Sequence, residues 1–260
     1  MSNDLAVNVL QCALAWESAE ENYNSISGLL EGTPPCDVIV LPEMFTTGFS
    51  MEPERVAERH DSDGMRSLEW MAALAATRSA AVTGSVSVEA SGRYFNRMYW
   101  VEPDGAVQWY DKRHLFSFAN EHDHYTAGRD RLIVDWRGWK ILLQVCYDLR
   151  FPEYIRNNVL DAGPAYDAAV FVANWPAVRS RQWKVLLLAR AIENQCYVIG
   201  CNRVGEDGNN MMYSGDSSVI DPTGDYLAEA IPGNEMVVHA SLSRGRLEDL
   251  RKAFPVLLDQ

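Results

Sequence analysis

In 260 residues, 47% of them apolar and 23% charged, the chain can bury a sizeable core, which excludes an intrinsically disordered protein. Its 36 acidic side chains outnumber the 23 basic ones to leave a formal charge of −13, and no Lys/Arg cluster forms a phosphate-tracking stripe, so neither nucleic acid nor an anionic membrane is an expected partner. The opening Met1-Ser-Asn-Asp4 has no signal-like pattern and no apolar run approaches the roughly 20 residues that span a bilayer, so the expected location is the cytoplasm.

Strand-like and helix-like patterns alternate from the start: a strand over 5–10, a helix over 16–30, a buried strand over 38–41 and a helix over 65–78. That alternation is the α/β signature. A strand over 81–88 comes next, then a hairpin of 94–101 and 106–110 around the turn sequence Glu102-Pro-Asp-Gly105. A strand over 140–146 leads to a helix over 153–160, a strand over 168–173, and a helix over 180–195 with Trp183, Leu186, Leu187 and Ile192 near one stripe. The strand 197–201 and a second hairpin, 217–220 with 225–228 around Asp221-Pro-Thr-Gly224, complete the series. The order helix, strand, hairpin thus occurs over 65–110 and again over 180–229, which points to two similar halves stacked through their sheets, unless the order recurs by chance. No Ser/Gly/Pro-rich linker divides the chain, so a single domain over 1–260 is expected.

Three polar residues follow apolar runs: Glu43, Lys112 and Cys146. In α/β sheets ligands gather outside the carboxyl ends of strands, where such residues converge from distant parts of the chain. Cys146, placed where a buried strand breaks into Tyr-Asp-Leu-Arg-Phe-Pro152, has the rigid presentation a nucleophile wants, although small buried cysteines are common. The five cysteines, Cys12, Cys36, Cys146, Cys196 and Cys201, include no C-x-x-C pair, so neither a disulfide framework nor a zinc ribbon is suggested. A carboxylate after a desolvated run, as at Glu43, suits a general base; an exposed turn glutamate is the plainer reading. Lysine is scarce, with four against 19 arginines, which makes Lys112 at a strand end conspicuous as a partner for a developing oxyanion.

Leu41-Pro-Glu43-Met-Phe, Asp111-Lys112-Arg-His-Leu-Phe116 and Val145-Cys146-Tyr-Asp-Leu-Arg-Phe-Pro-Glu153 resemble, in order, the three signature blocks of the nitrilase superfamily of carbon–nitrogen hydrolases. Thr46-Thr-Gly-Phe-Ser50 and Asn174-Trp-Pro176 are similar to its ω-amidase branch. The resemblance implies a nitrilase-like α-β-β-α four-layer sandwich with two similar halves, and a homodimer. It also implies Cys146 as nucleophile, Glu43 as general base and acid, and Lys112 as stabiliser of the tetrahedral intermediate. Glu121 matches the family's second glutamate, and the backbone N–H of Tyr147 would complete the oxyanion hole with Lys112. No metal or organic cofactor is implied.

The ω-amidase branch takes small dicarboxylate monoamides such as 2-oxoglutaramate, whose distal carboxylate needs a cation. Arg179 and Arg181 are candidates by position, and a guanidinium binds a carboxylate bidentately. Asn174 joins them as a candidate substrate contact, with Phe116, Tyr147, Trp175 and Trp183 as candidate apolar walls. Three alternatives stay open: a metal cluster of Glu121, His122, Asp123 and His124, a Cys146–His114 hydrolase, and a non-catalytic scaffold of the same fold. Nitrilase, carbamoylase and deaminated-glutathione amidase activities share the same triad.

Overall fold

The computed structural model describes residues 4–60, 64–161 and 163–259. The first sheet takes β1 (Leu5–Gln11), β2 (Val38–Val40), β3 (Ala81–Ala90), β4 (Arg93–Val101) and β5 (Val107–Asp111). The second takes β6 (Ile133–Trp136), β7 (Trp139–Val145), β8 (Ala168–Ala173), β9 (Tyr197–Asn202), β10 (Ser218–Ile220) and β11 (Tyr226–Glu229), after which β12 (Met236–Leu242) returns to the edge of the first.

Apart from a two-residue strand, Glu58–Arg59, that pairs with β3 in the first sheet, the pairing pattern is the same in both. From one edge the first runs β12 antiparallel to β1, β1, β2 and β3 parallel, then β4 and β5 antiparallel. The second runs β6 antiparallel to β7, β7, β8 and β9 parallel, then β10 and β11 antiparallel. The two halves expected from sequence are therefore present, with the edge strand supplied by the chain's end in one and by the preceding strand in the other. Both Pro-x-Gly turns close as hairpins, Gly105 N donating to Glu102 O and Gly224 N to Asp221 O, each at 3.0 Å.

Side-chain alternation decides what each sheet faces. Val7, Val9, Val38 and Val40 meet Leu143, Val145, Val170 and Val172 in one buried cluster between the sheets, and the Cys201 thiol reaches Leu10 O at 3.2 Å. The opposite face of the first sheet, with Leu10, Ile39 and Val82, packs on Tyr23, Ile26 and Leu30 of α1 (Ala19–Leu30) and Met71 and Ala75 of α2 (Arg66–Arg78). On the second sheet, Gly200 has no side chain because Leu187 and Trp183 of α3 (Ser180–Asn194) lie against its backbone. Helices thus cover the outer faces of two stacked sheets, and α4 (Arg244–Ala253) follows β12.

Two expectations need correction. The helix expected over 153–160 is one turn, Pro152–Ile155, because the Asn157 side chain is drawn away to Tyr166 O and Asn194 O at 3.0 and 2.9 Å. On α3, Ile192 is 53% exposed; the buried stripe runs through Trp183, Leu187, Arg190, Ala191 and Asn194. β6, β12 and α4 carried no expectation at all.

Candidate active site

Cys146 begins a five-residue 3-10 helix, Cys146–Arg150, directly after β7, and takes φ = 45°. A left-handed backbone at a side-chain-bearing residue is a strained presentation that its surroundings must hold. Asp148 does so: Oδ2 accepts from Val145 N (3.1 Å) and Tyr110 OH (2.7 Å), and Oδ1 from His114 N and Nδ1, both at 2.8 Å. Tyr110 and His114 flank Lys112, so one buried carboxylate ties the cysteine turn to the lysine segment.

Glu43, Lys112 and Glu121 are fully buried side by side. The Lys112 ammonium donates to Glu43 Oε1 (2.9 Å) and to both oxygens of Glu121 (3.0 and 2.9 Å). Glu43 Oε2 accepts from Asn174 N at 2.7 Å, and Glu121 Oε2 from Phe116 N at 2.6 Å. Asn96, in β4, donates its side-chain amide to Glu43 Oε1 at 2.8 Å and Glu121 Oε1 at 3.3 Å. The charges of Glu43, Lys112 and Glu121 all bear on the Cys146 thiol, that of Glu43 foremost.

This cluster sets its own protonation. Burial opposes charge on Lys112, but Glu121 and Glu43 outweigh it and hold the ammonium above the usual lysine range. Burial pushes Glu121 up, against the pull of Lys112. Burial, then the Glu43 charge, pushes the Cys146 thiol well above the ordinary cysteine value, with Lys112 pulling the other way. The resting sulfur is therefore a neutral thiol, and its proton has Glu43 as an adjacent acceptor.

A cavity of about 270 Å³ opens over Cys146. Phe116, Tyr147, Asn174, Trp175 and Arg179 line it, as the sequence suggests. Arg181 and Trp183 do not. Arg181 is exposed on the first turn of α3, and Trp183 is buried behind Trp175, its indole N–H donating to Asp216 O at 3.0 Å. Sequence reasoning passed over Arg150, which lines the cavity with its guanidinium 4.7 Å from the Trp175 ring centroid. Its place four residues after Cys146 was the available signal. Asp207, Asn209, Met211 and Tyr213, also in the wall, come from a segment with no periodicity to read.

The competing arrangements do not form. His114 Nδ1 bonds to Asp148 and the ring stacks on Phe151 at 3.8 Å between centroids, supporting the turn, while the Glu43 charge is the one that bears most on the thiol. Glu121 turns inward, whereas the His122 and Asp123 side chains are 53% and 63% exposed. Among the described residues no group of three or more His, Cys, Asp or Glu side chains is arranged to hold a metal.

Residues 6–252 match the family model for carbon-nitrogen hydrolases. The chain is 48% identical over 255 residues to omega-amidase YafV of Escherichia coli strain K12, covering 98% of this chain and 96% of that protein. It is 34% identical to the 2-oxoglutaramate amidase of Bacillus subtilis strain 168, covering 97% and 96%. A CN-hydrolase superfamily protein from Xanthomonas campestris, solved with an arsenic adduct in its active site, superposes with a TM-score of 0.94 at 46% identity over 99% of this chain and 97% of that one. Matched along nearly its whole length in sequence and in fold, the chain belongs to the carbon–nitrogen hydrolase family and is an amidase of that family.

Proposed function

We propose that the protein is an ω-amidase, releasing ammonia from the terminal amide of a small dicarboxylate monoamide of the 2-oxoglutaramate type through a thioester on Cys146. The observation that carries this reading is the buried Glu43–Lys112–Glu121 cluster whose charges bear on the Cys146 thiol in the cavity wall. The names of the relatives in Escherichia coli and Bacillus subtilis favour the same substrate class.

In the first half-reaction Glu43 takes the thiol proton as sulfur attacks the amide carbon. The oxyanion that forms is held by the Lys112 ammonium and the Tyr147 backbone N–H, donors of a kind each worth about a hundredfold or more in rate. Protonated Glu43 then gives its proton to the nitrogen, the C–N bond breaks, and ammonia leaves a thioester. In the second half-reaction water attacks the thioester, Glu43 takes its proton, and that proton returns to sulfur as the acid departs. Glu121 holds Lys112 in place and accepts from the substrate amide.

The substrate's far carboxylate requires a cation, and Arg150 and Arg179 are the guanidiniums lining the cavity. Aromatic rings back both, Trp175 behind Arg150 and Phe116 behind Arg179, which leaves their in-plane N–H groups to grip a carboxylate. Five free cysteines suit a reducing compartment, and no helix among the described residues is long and apolar enough to cross a membrane, so the cytoplasm is its proposed place of action.

The test is ammonia release across a panel of dicarboxylate monoamides, simple monoamides, nitriles and ureido acids. The reading expects the highest kcat/KM for a four- or five-carbon ω-amide bearing a free carboxylate. Faster turnover of a nitrile or ureido acid contradicts it.

A further inference from the structure

Lys112 is shared between two carboxylates and, on the mechanism above, must also turn toward an oxyanion. Something else has to keep those carboxylates in place while it does. Asn96 is fully buried in β4, and its backbone carbonyl accepts from Lys112 N at 2.9 Å. Its single side-chain amide nitrogen lies 2.8 Å from Glu43 Oε1 and 3.3 Å from Glu121 Oε1. Carboxylate oxygens here only accept, so the Asn96 N–H₂ group must face them, which leaves Oδ1 buried without a partner. A side chain kept only for packing has no reason to retain an orphaned buried acceptor.

We propose that Asn96 is a positioning residue of the reaction, its one side-chain amide fixing Glu43 and Glu121 relative to Cys146 and Lys112. This rests on the ω-amidase reading and goes beyond it. Unlike Lys112, the asparagine amide carries no charge and does not titrate, so its hold on both carboxylates persists as protons pass between Cys146, Glu43 and substrate. The charged or titratable groups around it are Glu43 from the loop after β2, Lys112 after β5, Glu121 from its short helix, Cys146, and Tyr125, whose hydroxyl interacts with the charges of both glutamates.

Removing a donor from an ionised carboxylate disfavours the ionised form, so the acid limb of activity moves upward in pH. The experiment compares wild type with Asn96→Ser and Asn96→Asp. It follows ammonia release from a dicarboxylate monoamide and iodoacetamide alkylation of Cys146 across pH, and thermal melting alongside. The expected result is an acid limb of kcat/KM displaced to higher pH in both variants and furthest in Asn96→Asp, with kcat reduced at least tenfold and KM within threefold. The alkylation profile should shift in the same direction. Acid limbs that coincide with wild type, with activity falling only as melting temperature falls, overturn the proposal. If Asn96→Asp does not fold, Asn96→Ser decides. Wild type that releases no ammonia from any ω-amide overturns the underlying reading instead, and the alkylation profiles still judge Asn96.

Discussion

At the scale of single residues, the chemistry follows from putting two carboxylates and one ammonium out of water beside a thiol. The Glu43 charge is a leading reason, after burial, that Cys146 holds its proton. Glu43→Gln should therefore bring the thiolate out at lower pH than in wild type while ammonia release falls at least a hundredfold, because sulfur becomes easier to ionise but loses its acceptor and acid. Ultraviolet thiolate absorbance, taken as the difference from the matching Cys146→Ala protein, reads the first effect. A thiolate that appears later in Glu43→Gln contradicts this electrostatic account. Lys112 gives a stability counterpart. Its raised folded-state pKa means that its contribution is fully present below the pKa of an unfolded lysine and is lost as pH rises through the folded value. Lys112→Met leaves buried carboxylates unpaired, a loss of about 3–5 kcal/mol at neutral pH. Burial already pushes the Glu121 carboxyl up, so acid protonates it readily once Lys112 is gone, and the deficit against wild type should shrink as pH falls from 8 to 5 in denaturant melts. A deficit that grows toward acid runs against the account.

At the scale of elements, the active side chains are held by strand ends and the loops pinned to them. The Glu43 loop lies on β3: Leu41 N donates to Thr83 O (2.7 Å), Met44 N to Ser85 Oγ (2.8 Å) and Phe45 N to Ser85 O (3.1 Å). This close approach requires Gly84, where a Cβ would come within 2.7 Å of Leu41 Cβ and 3.1 Å of Phe45 Cδ1. Gly84→Ala should cost about 1–3 kcal/mol by overpacking, and should lower kcat more than it raises KM by moving Glu43. Steady-state kinetics with a thermal melt checks both, and unchanged kcat in a destabilised protein counts against the link. Much of this layer was legible in sequence. Apolar runs ending in Glu43, Lys112 and Cys146 announced strand ends, and Pro-x-Gly turns announced both hairpins. The rest depended on contacts that local patterns do not encode. Asn157 ends the helix through bonds to Tyr166 and Asn194, far along the chain. Arg190 belongs to the buried stripe of α3 because its guanidinium caps Leu149 O at 3.1 and 2.7 Å. Asn96 sits between Phe95 and Arg97 in a strand of mixed polarity, so nothing in the local pattern sets it apart, and its partners become visible only when the loops fold over it.

At the scale of the whole molecule, two sheets of the same pairing pattern meet face to face, and the cluster sits where their loops converge. Asn174 follows β8 of the second sheet and clasps Glu43, which follows β2 of the first, through its backbone N and its side chain. The interface between halves thus doubles as the support of Glu43. The outer face of α3 leaves Val185 and Ile192 each 53% exposed, an apolar face of the sort that associates with another surface. Our reading of the protein as a homodimer expects sedimentation at twice the 29.2 kDa chain mass. It also expects the double variant Val185→Asp/Ile192→Asp to sediment as a monomer. A monomeric wild type contradicts the dimer.

Acid-quenched mass spectrometry of the enzyme during turnover of a dicarboxylate monoamide shows whether Cys146 carries the acyl group between two half-reactions. The Cys146 peptide should gain the mass of the substrate less ammonia, and Cys146→Ala should show neither the adduct nor ammonia release. Ammonia release that survives in a folded Cys146→Ala protein, or an acyl group found on another residue, contradicts the account.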